Sequence, residues 1–197
     1  MKNYLFILLI CLGCASKKEI VVPKFESKIV SNEKLSCRAI FVDTDKVWLG
    51  MDKGRYGFYD KKKDTLVVKT IQSVSNTTEF RSIAATKDAI FILAVGNPAK
   101  LIKIDKKSLQ ETIVYQEENE KVFYDSMQFV DNLNGFAMGD PTEDCLSFIK
   151  TTNGGNSWEK ISCANFPKVS EGEAAFATSN TNLIVTGKSI FMVSGGK

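Results

Sequence analysis

Residues 148–161 read FIKTTNGGNSWEKI. An apolar run leads into five small residues, Asn-Gly-Gly-Asn-Ser, and the stretch then reaches Trp158. A flexible linker does not need an indole, and a buried strand is weakened by adjacent glycines. The stretch therefore predicts two strands joined by a tight turn, with the indole packed between sheet layers.

The turn itself follows a defined spacing. Residues from Thr151 to Trp158 fit Ser/Thr-x-Asp/Asn-x-Gly-x-Ser/Thr-Trp, the Asp-box or BNR motif. The Asn153 side chain can accept from backbone amides two residues on, and Gly155 tolerates a positive φ. We expect Thr151 and Ser157 to face each other where the strands diverge. The motif predicts a structural turn and says little about an active site.

The same turn predicts a disulfide. If the flanking strands pair around Gly154, Cys145 falls opposite Cys163, within the reach that a disulfide needs. Cys37 is then expected to be free and buried. The cysteines do not have metal-ligand spacing, so we expect no metal site.

A repeat of about 45 residues runs through the chain. Glycines that end short apolar runs are separated by 46, 43 and 48 residues, at Gly50, Gly96, Gly139 and Gly187. The neighbouring runs are short, rich in β-branched and aromatic residues, and bounded by turn residues. Four strands in each such unit indicate an all-β fold, a β-propeller of four-stranded antiparallel blades. The blades are expected near residues 34–72, 79–116, 123–163 and 171–197.

The fourth repeat ends before a fourth strand. In one interpretation the stretch KFESKIV at 24–30 supplies that strand and closes a four-bladed ring. In the other, which we favour, this is the front portion of a longer propeller, and the open blade edge predicts low solubility.

The N-terminus resembles a lipoprotein signal. Lys2 is followed by an apolar run that ends in Gly13-Cys14, and the run is shorter than the ~20 residues that span a bilayer. A bacterial lipobox would be cut before Cys14, which would carry the lipid; a secretory signal and an uncleaved anchor are the alternatives. We expect a signal peptide over 1–13, an anchor linker and N-terminal strand over 14–33, and the propeller over 34–197. The protein would then be lipid-anchored in the bacterial cell envelope, on the periplasmic or surface side.

Composition excludes several functions. Removal of residues 1–13 lowers the formal charge from +3 to +2, too little for a nucleic-acid partner. The chain has no histidine, which excludes a histidine general base and the usual histidine-containing zinc sites. It has no GxGxxG motif and no cysteine cluster, so we expect no cofactor.

Charged residues are predicted to converge at one end of the propeller channel, where the innermost strands start. Two arginines among several carboxylates would suit an anionic or hydroxylated ligand, or a peptide. Alternatively, the charges pair across the channel and rigidify the ring. The predicted site residues are Arg38, Arg81, Tyr124, Asp125, Asp140, Glu171 and Glu173.

The segment YDSMQFVDNLNGFAMGDP…FIKTTNGGNSWEKI, followed by GEAAFATSNTNLIVTG, resembles the photosystem II stability/assembly factor-like proteins, a branch of the Asp-box propellers. The resemblance is clear over residues 80–197 and fainter over 34–78. Members of that family have six or seven blades, which implies that this chain is truncated. Relatives are often labelled oxidoreductases, but this sequence has no redox-cofactor motif.

Two functions follow from these observations. The first is a binding or assembly factor in the envelope, without a catalytic set, whose partner is a protein or a glycan. The alternative is a sialidase-like glycoside hydrolase, whose further catalytic residues lie in missing blades. FRSI at 80–83 lacks the Ile-Pro ending of the sialidase signature, so the binding function is preferred; a purely structural envelope protein is a third class.

Overall fold

The computed structural model describes residues 23–176, 180–187 and 189–196. The predicted signal peptide at 1–13 and the predicted lipidation site Cys14 lie outside these residues. Among the helices that the structure describes, none has the length and apolarity to cross a membrane.

Three four-stranded antiparallel sheets follow one another along the chain, and each keeps its strands in sequence order. The first contains β1 (Cys37–Val42), β2 (Lys46–Met51), β3 (Arg55–Asp60) and β4 (Thr65–Thr70). The second contains β5 (Phe80–Ala85), β6 (Ala89–Ala94), β7 (Ala99–Asp105) and β8 (Glu111–Glu117). The third contains β9 (Tyr124–Phe129), β10 (Gly135–Gly139), β11 (Ser147–Thr151) and β12 (Glu159–Lys160).

The first strand of each sheet is the innermost. β1 contacts β5, and β5 contacts β9, so the three sheets stand side by side as blades around a common channel. This confirms the predicted fold class, a partial β-propeller of four-stranded antiparallel blades.

The fourth repeat differs from the other three. It forms β13 (Leu183–Thr186) and β14 (Ser189–Met192), with one isolated bridge from Ala174 to Gly195. β13, expected as a second strand, lies against β9 instead, and the Val185 amide donates to the Gln128 side chain at 3.2 Å. The described part of the run around Ala174, up to residue 176, therefore does not form an innermost strand.

Residues 23–36 form no strand, in contrast to the strand expected within 24–30. Phe25 and Ile29 are 85% and 79% exposed, and this stretch contacts a blade through the ion pair of Lys28 with Asp64, in the turn between β3 and β4.

Apolar side chains fill the seams between adjacent blades. All six residues of β6 are buried, because alternate side chains point into two different seams. Ile90 and Ile92 pack with Trp48 of the first blade, whereas Phe91 and Leu93 pack with the third blade. The hydrophobic core is therefore a series of layers between blades.

The turn after β11 is held by its own side chains. The Thr151 hydroxyl donates to Asn153 Oδ1 at 2.9 Å and accepts from the Gly155 amide at 3.1 Å. Asn153 Oδ1 also accepts from the Ser157 amide at 3.1 Å. Trp158 is 8% exposed and joins the layer between the second and third blades. These contacts lock the turn onto the blade.

The register beyond this turn differs by one residue from the expectation. β11 pairs with β12 through Lys150 and Glu159, which does not place Thr151 opposite Ser157. Cys145 and Cys163 nevertheless form a disulfide, with Cα atoms 5.4 Å apart. This is possible because neither cysteine lies in the ladder: Cys145 precedes β11, and Cys163 begins a 3₁₀ turn, Cys163–Asn165.

Cys37 is free, but the prediction that it is buried is wrong. The equivalent residues Phe80 and Tyr124 are buried against a preceding blade. Cys37 starts the first blade, and no described element covers that side, so it is exposed.

Candidate functional site

A cleft of about 860 Å³ opens where β1, β5 and β9 begin. Arg38, Arg81, Asp125 and Asp140, four of the predicted site residues, line it. The first three come from the innermost strands of successive blades, and Asp140 directly follows β10. The repeat thus brings together four charges that are far apart in the sequence.

A β-bulge in each innermost strand positions three of these side chains. Residues 37 and 39 pair with 51 and 50 of β2, which leaves Arg38 as the extra residue of a β-bulge. Arg81 occupies the same position in the second blade, and Asp125 does so in the third. A bulge kinks the strand and redirects a side chain. Each of these three residues lies in the cleft wall for this reason.

The two arginines differ in their partners. Arg81 donates to the Glu79 carboxylate at 3.0 and 3.2 Å, and its guanidinium lies 5.5 Å from the centre of the Phe123 ring. Arg38 is exposed and makes no hydrogen bond or ion pair within the described part of the chain. Arg38 is therefore the guanidinium that is free to receive an anionic group.

Asp125 is the most unusual group of the cleft. It is 1% exposed, and neither carboxylate oxygen has a hydrogen-bond partner among the described residues. Burial and, secondarily, the negative charge of Asp140 raise the pKa of Asp125 to about 7, although Arg81 opposes the shift. A buried and unpaired carboxylate is costly to charge. The cleft therefore contains a strong acceptor without a donor.

Asp140 is fixed in place by the backbone. Its Oδ1 accepts from the Ala175 amide at 2.8 Å, and its own amide donates to the Phe123 carbonyl at 2.8 Å. These bonds tie the loop after β10 to the start of β9 and to the fourth repeat.

Tyr124 does not belong to the cleft, contrary to the prediction. It is fully buried between the second and third blades, and its hydroxyl donates to Glu117 at 2.8 Å. Burial and the neighbouring Tyr115 raise the pKa of Tyr124 far above its ordinary value. The bulge at Asp125 explains the difference, because it directs one residue to the channel and its neighbour into the seam.

Glu171 and Glu173 also lie outside the cleft, in a neighbouring depression beside Asp140. Glu173 accepts from the Ser170 amide at 2.8 Å and from the Ser194 hydroxyl at 2.5 Å. Their predicted convergence with the arginines is wrong, because the described residues of the fourth repeat do not form the innermost strand on which it depended.

Sequence reasoning missed three residues of the channel. Phe123 and Phe176 line the cleft, one just before β9 and the other at a positive φ of 60°. Asn180 accepts from Ser82 Oγ at 2.9 Å and from the Met127 amide at 2.8 Å, and so ties β5 to β9. Phe123 adjoins the predicted site residue Tyr124, whereas the positions of Phe176 and Asn180 depend on the irregular fourth repeat.

The described residues bring Glu143, Asp144 and Cys163 close enough to hold a metal ion. The Cys163 sulfur is in the disulfide and is therefore not available as a thiolate ligand. Glu143 and Asp144 alone are exposed carboxylates on a loop, so this group does not fit a metal centre.

No protein-family model matches this sequence, and no curated protein matches it either. Solved structures do. The structure of U3-55K matches at 10% identity with a TM-score of 0.54, over 68% of this chain and 41% of that one. YCF48 bound to a D1 peptide matches at 12% identity with a TM-score of 0.53, over 74% of this chain and 46% of that one. The RRP9 WD40 repeats match at 10% identity with a TM-score of 0.54, over 68% of this chain and 41% of that one. At these identities the likeness shows the fold alone: a β-propeller, of which this chain spans less than half the length of these neighbours.

Proposed function

We propose that this chain is part of an exported, lipid-anchored β-propeller that binds a protein segment in the cleft and acts as a binding or assembly factor in the bacterial cell envelope. One observation carries the proposal. The cleft presents a free guanidinium, Arg38, and a buried, unpaired carboxylate, Asp125, on a rigid scaffold.

The arrangement suits binding better than rigidification of the ring. If these charges served to pair the blades, Arg38 and Asp125 would have partners across the channel. Arg38 has none in the described structure, and Arg81 pairs with Glu79 of its own blade. Strands on three blades hold these side chains in place, which limits the ordering cost of binding.

A protein segment is the ligand class that we favour. One structural neighbour was solved with a bound peptide, YCF48 with a D1 peptide. The sequence resemblance to the photosystem II stability/assembly factor-like proteins supports the same class. The cleft also has room and mixed chemistry for several residues of a chain, with Phe123 and Phe176 beside the charges.

Sialidase-like chemistry has less support. That chemistry requires a tyrosine nucleophile beside the substrate, and Tyr124 is buried with its hydroxyl bonded to Glu117. Turnover of a fluorogenic sialoside by the purified protein, lost in Asp125→Asn, would support the hydrolase instead.

The lipid anchor rests on the Gly13-Cys14 pair. Metabolic labelling with an alkyne fatty acid should modify the wild type and leave Cys14→Ser unlabelled. Equal labelling of both proteins would contradict lipidation at this residue.

The binding proposal is tested by capture of a partner from detergent-solubilised envelopes. We expect a discrete partner to bind the wild type and Lys62→Glu, and to be lost from Arg38→Glu. Lys62 is an equally charged and exposed control on the β3–β4 turn, away from the cleft, with 74% of its side chain accessible. Equal capture by both variants would refute the role of the cleft.

A further inference from the structure

We propose that Asp125 and Asp140 form a subsite for a primary ammonium group, supplied by a lysine side chain or a chain N-terminus of the bound partner. This inference rests on the proposed function and specifies what the carboxylate side of the cleft recognises.

The first argument is the missing partner of Asp125. Its two oxygens are buried and unbonded, yet the residue lines an open cleft. Buried carboxylates are normally hydrogen-bonded, because an unpaired one is strongly disfavoured. Among the described residues, the cation that acts on Asp125 is Arg81, and Arg81 is bound to Glu79 and lies over the Phe123 ring. Because no described residue supplies a donor to Asp125, we infer that the ligand supplies it.

The second argument is the position of Asp140. It acts on Asp125 through its negative charge, and it uses only Oδ1 in the Ala175 contact. Two like charges that face one space repel each other, and a cation between them relieves the repulsion. The two carboxylates are on separate elements, so the cation would also link β9 to the loop after β10.

An ammonium group suits this subsite better than a metal ion or a guanidinium. Calcium requires six to eight oxygen ligands, and the described cleft offers two carboxylates. A guanidinium needs a planar fork of acceptors, whereas an ammonium is a compact charge with three donors. The Phe123 and Phe176 rings in the same wall can stabilise a cation through their faces.

The cleft is therefore bipolar. Arg38 faces it as a free cation from the first blade, whereas Asp125 and Asp140 face it as acceptors from the third blade. A segment with an acidic group followed at a short distance by an ammonium group would satisfy both sides.

The subsite predicts a pH dependence. The titratable and charged groups that line the cleft around it are Asp140, Arg81, Arg38 and Cys37. The Lys121 ammonium lies with Glu143, Asp144, Glu171 and Glu173 in the neighbouring depression, which Asp140 also lines. Because the pKa of Asp125 is raised to about 7, the carboxylate is mostly protonated at pH 6 and mostly charged at pH 8. Binding of a lysine ammonium should strengthen about tenfold over this range, since its pKa near ~10.4 keeps it charged. An N-terminal amine, with a pKa of about 8, loses roughly half of its charge by pH 8, so its binding should strengthen only about fivefold.

The test is an NMR titration of the purified full chain with three small probes. Nα-acetyl-lysine methylamide offers a side-chain ammonium, alanine methylamide offers an N-terminal one, and Nα-acetyl-norleucine methylamide offers neither. We expect one or both amine probes to shift the amide signals of Asp125 and Ala175, and the norleucine probe to leave them unchanged. The amine probe that binds more tightly identifies the source.

Variants locate the site. Asp125→Asn should weaken amine binding at least tenfold at pH 8, and Asp131→Asn, an exposed control in the β9–β10 turn, should leave it unchanged. A measurement on the wild type avoids dependence on variant folding: the amine probe should lower the pKa of the Asp125 carboxyl, followed by its ¹³C shift. Equal response to norleucine, equal binding by Asp125→Asn, or an unmoved carboxyl pKa would overturn the inference.

Failure here is distinguishable from failure of the proposed function. If no amine probe binds but capture of the envelope partner still depends on Arg38, the ammonium subsite is wrong and the binding cleft stands. If an amine probe binds through Asp125 but capture does not depend on the cleft, the subsite is upheld for small amines and the proposed partner binding is refuted.

Discussion

Replacement of Asp125 by asparagine should stabilise the protein at neutral pH, in a manner that depends on pH. The carboxyl is 1% exposed, and its pKa is raised to about 7. In the unfolded chain an aspartate titrates near ~3.9. The folded state therefore holds a proton that the unfolded state has lost, and wild-type stability falls as the pH rises from about 4 to about 7.

The size of the stability change follows from the difference between the folded and unfolded pKa of Asp125. A gap of roughly 3 pKa units, at 1.36 kcal/mol per unit, corresponds to about 4 kcal/mol at pH 8 and about 1.5 kcal/mol at pH 5. Asparagine does not titrate, so it removes this dependence. Any packing or hydrogen-bonding cost of the amide is the same at both values of pH, and the gain of Asp125→Asn over wild type should therefore grow by about 2.5 kcal/mol from pH 5 to pH 8.

Urea unfolding of the two proteins at pH 5 and pH 8 measures this growth. Asp131→Asn is the control that should show no change over this range. Hydrogen bonds from Asn134 lower the pKa of Asp131, so its contribution is present at both values of pH and is lost only on acidification below about pH 4. A difference between Asp125→Asn and wild type that does not change with pH would refute the reasoning, because it would mean that Asp125 is solvated or paired in the folded protein.

Three further predictions concern the scaffold. Gly155→Ala should cost at least about 2 kcal/mol more unfolding free energy than Gly172→Ala. Both glycines have a positive φ, but only a Cβ at 155 would meet a phenylalanine ring, at 2.2 Å. Urea titration of both variants checks this, and equal costs would contradict it. Reduction of the disulfide, whose cysteines are 18 residues apart, should lower the unfolding free energy by about 3 kcal/mol. Urea unfolding with and without a reductant measures this difference. An unchanged unfolding free energy would mean that the disulfide does not stabilise the fold. Ile40→Lys should reduce self-association, measured by light scattering, without loss of stability, whereas the equivalent Ile83→Lys should unfold the protein. The reason is that the Ile40 side chain is 62% exposed and the Ile83 side chain is 4% exposed. Similar behaviour of both variants would show that this face of the first blade is not exposed.

Much of the fold was predictable because the repeat is encoded locally. Each blade combines short β-branched runs with turn residues, and these features repeat at a spacing that a sandwich does not require. The convergence of Arg38, Arg81 and Asp125 was predictable for the same reason. They are 43 and 44 residues apart, and equivalent positions in a ring meet at one end of the channel.

The incorrect site and register predictions arise where strand pairing depends on the neighbouring tertiary structure. A bulge at Asp125 turns Tyr124 into the seam, and no local pattern announces such an extra residue. In the described part of the fourth repeat, β13 lies against β9 in place of an innermost strand, and Glu173 lies outside the cleft. The register already differs by one residue at Lys150 and Glu159, directly after the turn, and a 3₁₀ turn begins at Cys163 where a continuous strand was expected.

The central claim, that the cleft receives a protein segment, is tested most directly by site-specific photocrosslinking in the cells that naturally produce this chain. A benzophenone amino acid at Phe176, an exposed residue of the cleft wall, should produce a discrete crosslinked protein that disappears with Arg38→Glu. The same crosslinker at Lys62, on the β3–β4 turn, should not produce it. An absence of product from position 176, or the same product from both positions, would contradict the account.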